Sequence, residues 1–412
     1  MRDWQKITLG LALLVVTAWP TGNARGSEIS GRASTEVDWF DTAHESTAVP
    51  VFQYLQLQGR NLGGKGYDFH LYGRVGDDLA GKQNSYATSR LYYAYINRKN
   101  FLTNNLDMRL GRQFIVTTAG ASLMDGLRLS YKLHDDYRLT MFGGGDVAYY
   151  EGYNSGDAVA GGQISGRWFD ALDIGLSSLT KWRDGALSKE LFGLNFDYDW
   201  NNTIFLQNET QYDYLSKRIS YFTLSARQHL SPSWTVNVGY LYSLPVFSAT
   251  SIFSVFAVDE YQEVNGEVTY NFNKGWRAFG RYTREIYQEF SDANVLEAGL
   301  EKIRTDQYSG YISGVYRNEA DGQDMRGFKA RIARMFANKI QAGLGVEVDV
   351  LQRRINYFDI GASSSDTTSK RFWADVTLFI TPKMTLQAKL ERSESELWNY
   401  YNRGLLRLNT SF

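Results

Sequence analysis

The sequence predicts an all-β protein, a single closed antiparallel transmembrane β-barrel of about 20–22 strands. Three observations support this fold class. Apolar and polar residues alternate along most of the chain, the alternating segments are about ten residues long, and aromatic residues gather at the segment ends. The composition agrees, because Gly (38) and Tyr (28) are abundant among the 412 residues, unlike in a helical bundle or coiled coil.

The first element, residues 1–26, has the pattern of a secretory signal peptide. Arg2 and Lys6 precede an apolar run over 7–19, and Ala24-Arg25-Gly26 stands before the expected cleavage point. A membrane anchor is the alternative, but a run of about 13 apolar residues is too short for a hydrocarbon layer of about 30 Å. No later run approaches the length of a transmembrane helix. We therefore expect residues 27–412 to form one exported barrel domain.

Period-two alternation distinguishes two faces in the segments that follow. Over 67–75 the odd positions are apolar or small, whereas Asp68, His70 and Arg74 occupy the even positions. A soluble β-sandwich also alternates, but its core could not bury unpaired charges such as those of Arg74 and Arg281. Its strands are also usually shorter. These features favour a barrel whose polar face lines a wet lumen.

The same alternation predicts 22 strands in the mature chain. The predicted strands cover 28–40, 50–60, 66–76, 86–97, 104–114, 124–132, 137–146, 158–167, 170–181, 190–199, 203–214, 218–228, 234–243, 258–271, 276–287, 294–302, 306–317, 325–336, 340–351, 371–380, 384–394 and 400–412. Connections after even-numbered strands are short, whereas those after odd-numbered strands include the longer stretches 41–49, 147–157, 244–257 and 352–370. Short periplasmic turns, longer extracellular loops and periplasmic termini are typical of outer-membrane barrels.

Aromatic residues at the strand ends predict two girdles at the membrane interfaces. The groups are Tyr92, Tyr93 and Tyr95; Tyr198 and Trp200; Trp234; Tyr270, Phe272 and Trp276; and Phe379. The alternative is that these positions reflect only the ordinary preference of aromatic residues for strands.

The last strand carries a resemblance to a known family. With alternate residues from Tyr400 to a terminal Phe412, it resembles the closing strand of Gram-negative outer-membrane porins. The resemblance implies a location in the outer membrane and a role for Phe412 as the signal read by the barrel-assembly machinery. The stretches Leu110-Gly111-Arg112-Gln113 and 124–129 are similar to the strand, loop and strand that narrow the pore of several porin-like channels.

The polar face predicts two charged stripes in the lumen. The phase of the alternation places four arginines inward on four neighbouring strands: Arg74, Arg90, Arg109 and Arg128. Inward acidic residues on the far wall are Asp197, Glu209, Asp213, Glu263 and Glu267. Opposed stripes would set up a transverse field that orients polar solutes. The alternative is that these charges pair with lumen neighbours and merely solvate the wall.

Other functions find little support in the sequence. The absence of Cys excludes zinc ribbons, thiol enzymes and covalent haem attachment, and a net charge of −1 gives no basic footprint for nucleic acid. Of the four histidines, His44 and His134 fall in connections and His229 at a turn. Only His70, with Asp68 on the same face, is placed for catalysis, and lumen lining explains that pair equally well. We expect no enzyme activity, no cofactor and no metal site.

Three functions remain open. The first is a porin-like channel for passive diffusion of ions or small polar solutes, which lies among outer-membrane lipids either as a single copy or as a homo-oligomer. The second is an insulating sheath barrel that holds a secreted multihaem cytochrome, as in porin-cytochrome electron conduits, because barrels of about 22 strands usually need a filled lumen. The third, an active transporter with its own plug, is disfavoured because strands begin within a few residues of the mature N-terminus.

Overall fold

The computed structural model describes residues 28–42, 47–81, 89–148, 154–244, 260–288, 291–320, 324–352, 366–395 and 398–412. The predicted signal peptide, residues 1–26, lies outside these ranges and stays a prediction. Within them the backbone consists of strands, turns and one short 3₁₀ turn at Asn273–Gly275. No helix in the described part of the chain is both long and apolar enough to cross a membrane.

The strands follow one another along the chain as consecutive antiparallel neighbours. Their bounds are β1 (Glu28–Asp41), β2 (Thr47–Ala48), β3 (Pro50–Leu62), β4 (Tyr67–Asp78), β5 (Arg90–Arg98), β6 (Leu106–Thr117), β7 (Gly120–Lys132), β8 (Tyr137–Asp146), β9 (Ala158–Trp168), β10 (Leu172–Arg183), β11 (Ala186–Trp200), β12 (Ile204–Asp213), β13 (Arg218–His229), β14 (Trp234–Ser243), β15 (Tyr261–Asn271), β16 (Trp276–Tyr287), β17 (Ala293–Lys302), β18 (Tyr308–Glu319), β19 (Met325–Phe336), β20 (Ile340–Gln352), β21 (Asp366–Thr381), β22 (Met384–Ser395) and β23 (Trp398–Ser411).

The first and last long strands close the sheet into a barrel. β1 pairs with β3 on one side and with β23 on the other, where Arg32 lies opposite Ser411. β2 is a two-residue extension that pairs with the end of β1 ahead of β3, so 22 long strands form the wall. The predicted all-β class, the antiparallel closure and the strand count are confirmed.

The register of the strand pairs sets the width of the barrel. A path that steps from each residue to its partner on the next strand goes once around the wall. When it returns to β1, it has shifted by about 24 residues along that strand. With a rise of about 3.3 Å per residue and strands about 4.8 Å apart, this shift gives a tilt of about 37° and a Cα diameter of about 42 Å. The wall therefore encloses a wide lumen.

The outer surface is apolar and carries aromatic side chains near its rims. Leu176, Ile332 and Leu344 are examples of large apolar side chains that point outward, with 53%, 61% and 64% of their surface exposed. Near the rim that holds the chain ends, the outward aromatic residues include Trp168, Trp200, Trp234 and Trp276. Toward the opposite rim they include Tyr212 and Tyr316. Such belts match a bilayer with two interfaces. The prediction of a girdle position is wrong for Tyr93 and Tyr95, which lie opposite Tyr72 and His70 on the lumenal face because Ile96 takes the outward phase of β5.

One hairpin departs from its predicted boundaries. The sequence predicts strands 104–114 and 124–132 with a connection between them, but β6 and β7 continue to Thr117 and from Gly120, so that only two residues form the tip. The reason is that both faces of this segment are largely apolar, as in Phe114-Ile115-Val116, which hides the alternation. Strands β11 and β21 also start four and five residues earlier than predicted, at Ala186 and Asp366.

Candidate functional site

The β6–β7 hairpin leaves the wall of the barrel. Pairing between β5 and β6 ends at Ala94 and Arg112, and pairing between β7 and β8 ends at Met124 and Asp146. The two strands of the hairpin nevertheless stay paired with each other up to Thr117 and Gly120. The tip segment, residues 113–123, therefore lacks a neighbouring strand on either side of the wall.

Three hydrogen bonds hold the tip against the inner wall. The Ala119 amide donates to Ser177 Oγ at 2.9 Å, and Gln211 Nε2 donates to the Ala119 carbonyl oxygen at 2.9 Å. Thr118 Oγ1 donates to Asn195 Oδ1 at 2.7 Å. The partners lie on β10, β11 and β12 at positions that alternate with outward apolar residues, so they face the lumen. The hairpin is therefore folded into the lumen and crosses the inner surface of β8 and β9.

A small apolar core fills the space between the hairpin and the wall. Its buried members are Ile115, Ala119, Met124, Phe142, Val159, Leu179 and Leu191. Burying apolar side chains of this size contributes about 1.5–3 kcal/mol for each large residue. The sequence contains an indication of this core. Leu179 and Leu191 occupy inward positions, where polar residues are expected if the lumen is filled with water.

Two glycines allow the close approach that the hairpin requires. Gly193 lies under the tip, where an added Cβ would stand 2.2 Å from the Ala119 amide nitrogen. Gly111 lies at the base with a φ of 121°, and a Cβ there would stand 2.4 Å from the carbonyl oxygen of Ala94. Side chains other than hydrogen are strained at that φ. The backbone thus turns inward at Gly111 and lands on Gly193.

Polar side chains reinforce the base of the hairpin. Arg112 forms a bidentate ion pair with Asp125, with Nε to Oδ1 at 2.8 Å and Nη2 to Oδ2 at 2.6 Å. Gln113 is fully buried, and its Nε2 donates to the carbonyl oxygen of Gly126 at 3.1 Å. These residues belong to the stretches that resemble a pore-narrowing region. They tie β6 to β7 at the point where the hairpin leaves the wall.

The four predicted basic residues all occupy inward positions, in two pairs rather than one continuous row. Arg74 lies opposite Arg90, and Arg109 lies opposite Arg128. Arg109 is paired with Asn97, which lies near the end of β5 that leads into the turn. The Arg109–Arg128 pair is therefore about 10 Å closer to the rim of the turns than the Arg74–Arg90 pair, measured along the barrel axis with the strand tilt included. Both pairs remain in the middle of the lumen.

Aromatic rings surround two of these arginines. The Arg74 guanidinium lies 4.3 Å from the Phe52 ring centroid and donates to Tyr54 Oη at 3.3 Å. The Arg109 guanidinium lies 4.4 Å from the Tyr95 ring centroid. Among the described residues, no carboxylate forms an ion pair with Arg74, Arg109 or Arg128.

The predicted acidic residues are only partly brought together. Glu263 and Glu267 line one lumenal recess with Glu285 and Glu297. Arg281 crosses that recess, with its Nη2 2.5 Å from Glu267 and its Nη1 3.2 Å from Glu297.

The other three predicted acidic residues lie on β11 and β12. Asp197 is opposite Asp173, and Glu209 is opposite Asn195. Asp213 is buried at the end of β12, away from the recess. The acidic residues thus form a discontinuous set in which one member is neutralised by an arginine.

Sequence reasoning missed a set of ion pairs on the rest of the inner wall. These pairs are Arg403 with Asp38, Arg407 with Glu36, Arg331 with Asp375, Arg277 with Glu301 and Arg317 with Glu285. Each joins different strands, so it depends on a register that one sequence does not reveal. Pairing with lumen neighbours therefore describes the charged residues of β15 through β23 and β1, but not Arg74 and Arg109.

The remaining predicted residues have ordinary surroundings. His70 stacks on Tyr95 with ring centroids 4.9 Å apart, and Asp68 accepts a hydrogen bond from the Asn61 amide. His44 lies outside the described residues. In the described ranges, no group of three metal-ligating side chains comes together.

The C-terminal residue closes the barrel at the rim of the turns. Phe412 and Gly31 exchange two backbone hydrogen bonds of 3.0 Å, and the Phe412 ring covers Gly31 on the outer face. Phe412 therefore points outward beside the first strand.

Comparison with known proteins supports the fold. No family model and no curated protein matches the sequence. The chain is similar to the siderophore receptor PirA from Pseudomonas aeruginosa, with a TM-score of 0.61 and 10% identity over 93% of this chain and 80% of that one. OccK3 (OpdO) from Pseudomonas aeruginosa has a TM-score of 0.45 and 10% identity over 94% of this chain and 96% of that one. The closed 22-strand wall and its apolar exterior define the fold as a single antiparallel transmembrane β-barrel.

Proposed function

We propose that the protein is an outer-membrane channel for passive diffusion of ions or small polar solutes, with the β6–β7 hairpin as its constriction. The observation that carries the proposal is the docking of the hairpin tip on Ser177, Asn195 and Gln211 inside the lumen. A structure that narrows a charged lumen at mid-height is what a selective diffusion channel requires. No catalytic residue is assigned.

The shape of the lumen supports conduction. The hairpin covers the inner surface of β8–β12, whereas charged side chains line much of the remaining wall. The hairpin adds one layer of about 10 Å to the inside of a barrel whose Cα diameter is about 42 Å, so room for water remains beside it. Polar solutes can therefore pass alongside the hairpin.

The test measures the conductance of the purified chain in planar bilayers. A variant in which Gly-Gly replaces residues 114–121 should conduct more than the wild type, because the constriction is removed. In the control variant, Ser replaces Phe114 and Val116, which alternate with buried Ile115. Its conductance should equal that of the wild type, because the hairpin stays in place. A folded, heat-modifiable wild-type barrel that does not conduct would overturn the channel proposal.

A sheath for a multihaem cytochrome is the second candidate, and the barrel width favours it. Barrels of 22 strands usually hold a plug, and the described hairpin occupies only one side of the lumen. Co-purification with a haem protein that abolishes conductance would reject the open channel. Selective conductance by a barrel without a partner would reject the sheath. Neighbouring genes for secreted cytochromes would favour the sheath.

Export and assembly complete the proposal. We propose that residues 1–26 are cleaved during export, that the barrel-assembly machinery reads Phe412, and that the mature barrel lies among outer-membrane lipids. A second copy of the chain is the expected neighbour if the channel is a homo-oligomer. Analytical ultracentrifugation of the detergent-solubilised barrel measures that state.

A further inference from the structure

Two inward arginines lie side by side just below the point where the hairpin leaves the wall. Arg109 on β6 is directly opposite Arg128 on β7, so their Cα atoms are about 4.5–5.5 Å apart. Gly111 and Gly126, two residues further along these strands, form the base of the hairpin. We call Arg109 and Arg128 the di-arginine site. Their side chains share one face of the sheet and place two positive charges close together.

The donors of the di-arginine site are open to the lumen. The Arg109 guanidinium rests on the Tyr95 ring, 4.4 Å from its centroid, and its Nε is buried there. The two η nitrogens of Arg109 are not buried and carry four N–H groups. Arg128 is half-buried, but none of its nitrogens is fully buried or bonded to a group in the described ranges. An anion in the lumen can therefore reach donors of both residues.

The carboxylates nearest to the di-arginine site are engaged elsewhere. Asp125 forms its bidentate pair with Arg112, and Asp107 Oδ1 accepts a hydrogen bond from the Asn100 amide at 3.2 Å. Other acidic side chains line a recess closer to the rim of the turns: Asp135, Asp136, Asp173 and Asp197. Among the described residues, none of these carboxylates forms an ion pair with either arginine of the site. The positive charge of the pair is therefore left without a protein counter-ion in this part of the chain.

The surroundings of the di-arginine site shield part of it from water. Below Arg128, Ser130 Oγ and Thr140 Oγ1 lie 3.0 Å apart at the next inward positions of β7 and β8, and both residues are buried. Phe142, which lies opposite Arg128, belongs to the apolar core beneath the hairpin. The pair thus lies between a hydroxyl-bearing floor and an apolar core. Attraction between a guanidinium and an anion is stronger where less water surrounds them.

We propose that the di-arginine site binds divalent tetrahedral oxyanions, such as phosphate as the free ion or as an organic monoester. Two guanidinium groups offer N–H donors to several oxygens of one ion, and their two charges match its double negative charge. On the opposite wall Arg331 and Arg407 are neutralised by Asp375 and Glu36, so they lack this capacity. The inference names a solute class for the proposed channel, and it rests on that function only in requiring that solutes reach the lumen.

The position of the di-arginine site places a bound ion at the constriction. Arg109 precedes Gly111, where the hairpin turns inward, by two residues on β6. Solutes that pass the base of the hairpin therefore pass the two guanidinium groups. An ion that stays bound at this level should interrupt the current carried by smaller anions.

Equilibrium dialysis of the full chain in a non-ionic detergent tests binding without relying on conduction. At about pH 8, where phosphate is mainly divalent, labelled inorganic phosphate should bind about 10-fold more tightly than acetate at equal ionic strength. Equal affinities for the two anions would overturn the match to a divalent ion. Unlabelled glucose 6-phosphate then distinguishes the two sources, because it displaces the label only if the site also accepts phosphate monoesters.

Variants assign the binding to the two arginines. Arg109→Gln with Arg128→Gln should remove the preference for phosphate over acetate. Arg128→Lys keeps the charge of the lumen but removes one planar fork, so it should weaken phosphate by about 3-fold or more and leave acetate nearly unchanged. Arg227→Gln is the matched control, because this lumenal arginine on β13 donates to the neutral Asn237 side chain at 3.0 Å. It should keep the affinity of the wild type for phosphate.

A folded, heat-modifiable double variant that still prefers phosphate would overturn the proposal, as would an equal loss of phosphate in Arg227→Gln. Dialysis and bilayer conductance separate this failure from that of the channel. A conducting barrel without phosphate preference rejects the di-arginine site alone. A barrel that does not conduct but binds phosphate through Arg109 and Arg128 rejects the channel alone.

Discussion

Replacing Gly193 by Ala should release the hairpin from the inner wall. The added Cβ would stand 2.2 Å from the Ala119 amide nitrogen and 2.4 Å from the Thr118 carbonyl carbon. Ordinary contacts begin near 3.4 Å, so the tip must move away by about 1 Å. That shift stretches the three hydrogen bonds of the tip, each of which contributes about 0.5–1.5 kcal/mol. The apolar core beneath the hairpin opens at the same time.

The size of the effect follows from the cross-section. A Cα radius of about 21 Å with a side-chain layer of about 5 Å leaves a free radius of about 16 Å, and a hairpin of about 10 by 20 Å occupies about a quarter of that area. Single-channel recordings should therefore show conductance up to about a third higher, with more noise from the loosened tip.

A glycine elsewhere on the inner wall provides the control. Gly239→Ala on β14 should leave the current unchanged, because its Cβ meets only the Asn265 side chain. A folded Gly193→Ala barrel with the conductance and noise of the wild type would refute the constriction argument.

Three further predictions use other parts of the structure. The chain has no native Cys, so Thr118→Cys with Asn195→Cys should form a disulfide in outer membranes, seen as a faster band on non-reducing gels; no cross-link under oxidation would contradict docking. Deleting Phe412 should lower the amount of heat-modifiable barrel, and unchanged assembly would count against its signal role. Changing Arg90 and Arg128 to Ala should shift the reversal potential toward cation selectivity, because less positive charge remains in the lumen; an unchanged potential would show that they do not set selectivity.

Alternation was sufficient to predict the wall but not what lies inside it. Side chains alternate between the two faces of a strand, so the apolar and polar faces of each strand can be recognised from its own sequence. This alternation predicted the 22 strands and the short turns at one rim. The hairpin contacts join residues far apart in the chain, such as Ala119 and Gln211. Apolar residues on both faces of β6 obscured the period. The inward Leu179 and Leu191 were a readable signal, but identifying what covers them requires the folded structure.

The charged residues show the same division. The phase of each strand predicts an inner position for Arg74 and Arg109. Their heights depend on the registers between β4, β5 and β6, which hydrogen bonding between strands determines. The ion pair of Arg281 with Glu267 likewise depends on register. Sequence could therefore assign each charge to a face, whereas the partner of each charge emerged only from the pairing of neighbouring strands.

The exposed face of the hairpin offers the sharpest distinction between an open channel and a filled sheath. Phe114 and Val116 are 58% and 67% exposed and alternate with buried Ile115, so they point away from the docked wall into the lumen. In an open channel these apolar side chains are in contact with water, whereas a protein inside the barrel would cover them and gain about 25 cal/mol for each Å² buried. Phe114→Cys in intact cells should therefore react with a small hydrophilic maleimide if the lumen is open. Protection in cells that is lost after purification of the barrel alone would instead show that another chain occupies the lumen.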